Sequence, residues 1–226
     1  MGLTKRRKRI TDIKYATRIN SELPNLLSRW VDERDKRLIH FSTNCVFDGK
    51  RDSYTESSPP DSQTTYGKTK AAGEVCTEGA LTLRTCFIGR ELAHFTELLE
   101  WFLAQQGKSV GGFTSSMFSG VSTKYLSEVV ADVIEFHPKL YGLYHLSTTQ
   151  QITKYDLLCL ARDVFKIDVE ITPEANKQRA AVLDGSLLQR KLDLKIPSWD
   201  VMMAQIAKES LYDSLSRSEE IDGKTT

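Results

Sequence analysis

Ile13, Ala16, Ile19 and Leu23 recur at helical spacing, and Leu26, Leu27 and Trp30 continue the same apolar face past Pro24. The spacing predicts a helix from about Thr11 to Arg34 that bends or restarts at the proline. A charged approach, Asp32 to Arg37, leads into a short strand, Leu38 to Ser42. Two turn-rich loops follow, Asp48 to Ser53 and Ser57 to Ser62. Helical pattern returns from Thr65 to Glu78, a second strand covers Leu81 to Thr85, and an amphipathic helix spans Glu91 to Gln106, stopped by Gly107.

The texture changes after Gly107. Ser109 to Gly120, rich in Gly, Ser and Phe, suits irregular strand and loop. Ser122 caps a helix reaching His137, with Glu128 on its polar side, and Leu143 to Ser147 reads as a strand. Thr153 caps a helix to Phe165 with Asp156 in its first turn. Val169 to Ile171 is extended, Gly185 to Leu192 and Ser198 to Leu215 are helical, and the polar tail Ser216 to Thr226 is expected to be disordered. Strands alternating with helices predict an α/β fold on a parallel sheet, with ligands at the carboxyl ends of the strands. The residues just after Phe41 and just after Thr85 are therefore where chemistry is expected.

Composition narrows this picture. Of 226 residues, 31 are basic and 30 acidic, so a net charge of +1 gives no global case for nucleic acid or a membrane surface. No apolar run is long enough to span a bilayer, and no apolar segment follows the basic N-terminus as a secretory signal requires. The expectation is a cytoplasmic protein. Cys45, Cys76, Cys86 and Cys159 lack paired spacing and read as reduced thiols, not disulfides or a zinc site. The run Lys5-Arg6-Arg7-Lys8-Arg9, with no aromatics interleaved, reads as a solvated loop before the first helix. His40, His94, His137 and His145 are scattered without ligand spacing, and no G-x-S-x-G elbow occurs, which argues against a metal hydrolase and a serine hydrolase.

One constellation remains. The first strand runs into Ser42-Thr43-Asn44-Cys45-Val46-Phe47-Asp48-Gly49, and Tyr66-Gly67-Lys68-Thr69-Lys70 follows the loop. Tyr66 and Lys70, four apart, share a helix face. A nearby ammonium is expected to lower the phenol, ordinarily about 10, so that it exchanges a proton with a ketone oxygen. Thr43 at a strand end can hydrogen-bond the same oxygen. A lone Tyr-x3-Lys carries little weight. The strand ending before it and Gly67 and Gly73 on the short helix add to it, since glycines there imply close approach of another backbone or a ligand.

The run Ser42 to Gly49, then Tyr54, Glu56 and Pro60, then Tyr66 to Glu74, resembles the extended short-chain dehydrogenase/reductases, and most closely the dTDP-4-dehydrorhamnose reductases and other nucleotide-sugar reductases. The resemblance is strong over about Asn20 to Gly89 and fainter to about Leu192. It implies an incomplete Rossmann-type parallel sheet (residues 1–107), then a region of late strands and a smaller C-terminal substrate-binding part (108–215), then the tail (216–226). It implies Thr43, Tyr66, Lys70 and Asn20 as the catalytic set. Phe41, Ser42, Tyr66, Lys70, Phe87 and Ile88 would border an NADP or NAD cofactor, and Thr43, Asn44 and Val46 the sugar. Phe113, Phe118 to Val121 and Ser122-Thr123 are similar to the family's later strand and helix start. The implied reaction is NAD(P)H-dependent reduction of a nucleotide-linked 4-keto-6-deoxy sugar, in deoxysugar synthesis for surface polysaccharide.

Two departures bear on that expectation. Asn44 stands where the reductases usually carry Asp, and Arg179 to Ser186 matches the family's later arginine motif only loosely, so no site is placed there. The sequence also contains no G-x-x-G-x-x-G or G-x-G-x-x-G turn to hold a cofactor pyrophosphate on a helix N-terminus. The resemblance begins near the family's fourth strand, with Gly2 as that strand's last residue, and roughly sixty residues of βα units have no counterpart. A normally internal sheet edge would then be open to self-association. The chain alone is expected to bind NAD(P) weakly or not at all. The alternatives are a non-catalytic module that binds a sugar nucleotide or regulates another enzyme, and an inactive truncated remnant.

Overall fold

A computed structural model describes residues 2–4, 8–175 and 180–209; Lys5 to Arg7, Arg179, the end of the last predicted helix (210–215) and the tail 216–226, each singled out above, lie outside the described residues. The first helical run starts where the Asp12 carboxylate accepts the amide of Tyr15. It comprises α1 (Ile13–Thr17), a π-helical turn (Arg18–Glu22) and α2 (Leu23–Asp32), so the expected restart falls at Pro24, in the first turn of α2. Proline has no N–H for the Asn20 carbonyl, its partner four residues back. That carbonyl instead presses on Gly73, where an added Cβ would lie 1.9 Å from it.

The strands are β1 (Leu38–Thr43), β2 (Ala80–Thr85), β3 (Phe87–Ile88), β4 (Lys108–Phe113), β5 (Met117–Phe118), β6 (Val121–Ser122), β7 (Gly142–His145), β8 (Ile152–Thr153) and β9 (Val169–Glu174). Between and after them lie α3 (Thr65–Ala71), α4 (Leu98–Leu103), α5 (Thr123–Phe136), α6 (Lys154–Phe165), α7 (Ser186–Leu192) and a further helical stretch at 199–209. β1, β2 and β7 form a parallel sheet in that order, with Thr43 opposite Thr85 and Arg84 opposite His145. The carboxyl ends of all three strands therefore meet at one rim. β3–β6 and β4–β9 are parallel pairs and β5–β8 is antiparallel.

β2 is central and every residue of it is buried, as a strand covered on both faces must be. Leu81 and Leu83 on β2 join Leu99 and Phe102 of α4, Val129 and Val133 of α5 and Leu157 of α6 in one apolar core, which Met202, Met203 and Ile206 close from 199–209. Ser122 and Thr153 cap α5 and α6 as expected, accepting from the amides of Tyr125 and Asp156. Among the described residues no helix is long and apolar enough to cross a membrane.

Two predicted helices are shorter than their apolar spacing suggested. α4 covers only Leu98–Leu103 of the expected Glu91–Gln106. Upstream, His94 and Phe95 take φ of 77° and 49°, and Glu100 reaches back to the Arg90 guanidinium at 2.5 Å and the Glu91 amide at 3.0 Å, so those residues form a loop anchored on α4. α3 ends at Ala71 rather than Glu78, just before Gly73 packs against Asn20.

Candidate active site

Thr43 is the last residue of β1. Its hydroxyl accepts the Cys45 amide at 3.1 Å and so caps the tight turn Asn44–Val46. α3 starts nearby because Thr64 caps it, accepting the Gly67 amide at 3.0 Å. Gly67 makes the approach possible: a Cβ there would lie 2.2 Å from both the Cys45 carbonyl and the Ser62 hydroxyl. The bare glycine face lets the start of α3 press on the turn after β1, which brings Tyr66 to Thr43.

The Tyr66 phenol is pushed up to about 12. Burial is the main cause, because a phenolate there loses its hydration; Cys45 and Glu97 add to it, and a hydrogen bond from Thr43 draws it the other way. This corrects the expectation that Lys70 lowers Tyr66. Lys70 is one turn along α3 and only 5% exposed. Its ammonium donates to the Phe41 carbonyl at 2.6 Å and lies 3.4 Å from Nε2 of His40. The cation is engaged on the edge of β1 and leaves the phenol protonated. Burial lowers Lys70 itself to about 8, with the Glu74 carboxylate opposing that shift.

Asn20 sits in the π-helical turn, 1% exposed. Its amide brackets the Leu3 backbone, accepting from the nitrogen at 2.7 Å and donating to the carbonyl at 3.0 Å, and also donates to the Thr69 hydroxyl at 3.2 Å. Asn20 and Lys70 converge on Gly2, where a Cβ would lie 3.6 Å from the Asn20 oxygen and 3.9 Å from the Lys70 nitrogen.

The other expected residues divide. Asn44 lines a cleft of about 490 Å³ with Tyr66, Gln63, Phe118 and Lys154, and its amide donates to the Ala181 carbonyl at 2.9 Å. An Asp at this position could not make that bond, which ties the end of β1 to the far wall of the cleft. Val46, expected at the sugar, is instead fully buried with Phe47, Tyr54, Ala181 and Leu183.

Phe41 and Phe87 are 37% and 52% exposed and offer apolar surface beside Lys70 and the ends of the strands, which suits a nicotinamide ring. Ser42 and Ile88 offer no free side chain to a cofactor: the Ser42 hydroxyl donates to Glu74 at 2.6 Å, and Ile88 is in the core. The cofactor residues therefore fit the nicotinamide end alone, and the sequence holds no glycine-rich turn for the pyrophosphate.

Sequence reasoning missed His40, the buried Arg84–Glu74 pair and the cleft residues Cys45, Cys86, Met117 and Lys154. The available signals were weak. Lys154 follows a recognised cap and His40 adjoins Phe41 on a predicted strand, but neither position announces a partner.

The match that decides the family runs over residues 11–211, against the RmlD substrate binding domain. The chain belongs to that family. Among curated proteins it is 29% identical over 150 residues to methionine adenosyltransferase 2 subunit beta of Xenopus tropicalis, covering 58% of this chain and 42% of that protein. It is 28% identical over 175 residues to a probable dTDP-4,6-dihydroxy-2-methyloxan-3-one 4-ketoreductase of Streptomyces antibioticus, covering 70% and 54%. The chain thus spans about half the length of the curated relatives it matches. In fold it is similar to a dTDP-4-dehydrorhamnose reductase of Bacillus anthracis solved with NADP, with a TM-score of 0.79 at 20% identity over 92% of this chain and 78% of that one. The likeness to that structure agrees with the parallel α/β sheet of this chain.

Proposed function

We propose that this chain carries the proton-transfer and substrate side of a reductase acting on a nucleotide-linked 4-keto-6-deoxy sugar. The observation that carries the reading is the Thr43–Tyr66 pair at the carboxyl end of β1, with Tyr66 lining the cleft. A phenol held at about 12 is protonated throughout the neutral range, as a proton donor requires. Tyr66 gives its proton to the keto oxygen, and the Thr43 hydroxyl hydrogen-bonds that oxygen and holds it in line. A reduced nicotinamide, when bound, supplies the hydride. Phe41 and Phe87 give the ring an apolar border, and Asn44, Gln63 and Lys154 offer polar groups to the sugar nucleotide.

Turnover of a panel of nucleotide keto-sugars with NADPH or NADH tests this. Activity is expected to fall by about 10²–10⁴ in Tyr66→Phe, the usual range for removing a general acid. An active wild type with an unimpaired Tyr66→Phe removes Tyr66 from that role. Calorimetric titration of the chain with NADPH is expected to show binding weaker than micromolar, since no glycine-rich turn holds the phosphates; tighter binding overturns that expectation.

The similarity to methionine adenosyltransferase 2 subunit beta favours a second reading, a non-catalytic module that binds a sugar nucleotide or regulates another enzyme. A chain that binds a nucleotide sugar and turns none over supports it.

A further inference from the structure

We infer that His40 is a positioning residue for Lys70: its ring nitrogen is the side-chain acceptor that holds the buried ammonium beneath the edge of β1. This rests on the reading that Lys70 is the lysine of the site. An ammonium carries three N–H donors and no acceptor, and a buried one is costly unless neighbours accept from it. Lys70 is 5% exposed and His40 8%.

The nearby carboxylate is already engaged. Glu74, four residues further along the chain and past the end of α3, accepts from Arg84 Nε and Nη2 at 2.7 Å each and from Ser42 at 2.6 Å. The Asn20 side-chain oxygen accepts from Leu3. Lys70 is therefore left to neutral acceptors, and β1 supplies two from adjacent residues, the Phe41 carbonyl at 2.6 Å and the His40 ring at 3.4 Å. Because the ammonium can only donate, Nε2 of His40 must accept, which puts the ring proton on Nδ1. A protonated His40 would set two cations 3.4 Å apart, so the ring stays neutral. His40 touches no part of the cleft; it acts through Lys70, on the helix face that Lys70 shares with Tyr66.

Competitive acetylation of the full chain with trace acetic anhydride across pH 6 to 11, read by mass spectrometry, follows the midpoint of Lys70 directly. In wild type that midpoint is expected near 8, well below an ordinary lysine. His40→Leu removes the acceptor and keeps the site dry, so the midpoint should fall further. A drop of about half a unit makes Lys70 roughly threefold more reactive at pH 7. His40→Gln restores a neutral acceptor and is expected to stay within about twofold of wild type, which a purely packing role would not produce. An unchanged midpoint in His40→Leu, or equal behaviour of the Gln and Leu variants, overturns the proposal.

If His40→Leu fails to fold, nitrogen NMR of the wild-type ring still decides: Nε2 bare of hydrogen is expected, and an Nε2–H tautomer sinks the assignment. Neither readout uses turnover. Absent turnover with the expected labelling removes the reductase reading and leaves His40 in place, and the reverse result does the opposite.

Discussion

Two buried polar networks flank β1, and they handle a cation in opposite ways. On the β2 side, the Arg84 guanidinium meets Glu74 through two parallel 2.7 Å contacts, with Ser42 donating to the same carboxylate and the His145 ring 3.3 Å from Arg84. Charge, geometry and donors are matched, and elements from β1, β2, β7 and the segment after α3 are joined at one point. Beside α3, Lys70 has a carbonyl and a histidine ring and, among the described residues, no carboxylate in contact. The first arrangement is a closed structural joint. The second is a charge held in a dry place by neutral groups, and burial lowers it to about 8 as a result. Held in the second way, a cation keeps its protonation closer to change near neutral pH than a guanidinium locked to a carboxylate does.

The sharpest way to break this comparison is to unpair the closed joint. Glu74→Ala leaves the Arg84 charge buried without its carboxylate and should cost roughly 3–5 kcal/mol in denaturant unfolding. Replacing both partners, Glu74→Leu with Arg84→Met, should recover most of that loss. A cost below about 1 kcal/mol for Glu74→Ala would mean the pair is not a structural joint.

Next in size is the acid limb. Burial holds His40 and His145 at about 4, helped by the cations of Lys70 and Arg84 respectively. The unfolded chain, with histidines near 6.5, then binds more protons than the folded one between pH 6.5 and 4, so stability falls as pH is lowered through that window. At 1.36 kcal/mol per unit, each ring accounts for about 3 kcal/mol. Unfolding measured against pH should show the loss, and His40→Gln and His145→Gln should each flatten part of it. An acid limb unchanged in both variants would place the titrating groups elsewhere.

The smallest expected effect concerns a tie without formal charge. Asn44→Asp replaces the donor to Ala181 with a carboxylate facing a carbonyl, at about 1–2 kcal/mol. Faster hydrogen exchange at residues 181–183 would report the loosened cleft wall; unchanged exchange would mean the tie holds nothing in place.

Much of the site's frame was readable along the chain. Gly67 and Gly73 were singled out for close backbone approach, and each meets a carbonyl that a Cβ would strike. Pro24 marked the join between a π turn and α2, and the caps of α5 and α6 stood where Ser122 and Thr153 predicted them. Such features are local, set by one residue's own backbone chemistry. The shortfall of α4 was not readable, because apolar spacing alone does not show that Glu100 folds back on Arg90.

What the sequence determined by itself, then, is that Thr43, Tyr66 and Lys70 stand on a strand end and on one face of the following helix, since strand and helix periods and a glycine at the contact are properties of the chain. What only the tertiary structure decided is where the charges point. Spacing puts Lys70 on the Tyr66 face, but a flexible side chain goes to the acceptor that burial makes most valuable, and that is the Phe41 carbonyl beside His40. Likewise Val46 went to a core that Ala181 and Leu183 complete, and Asn44 went to Ala181, partners more than a hundred residues away that no local pattern specifies.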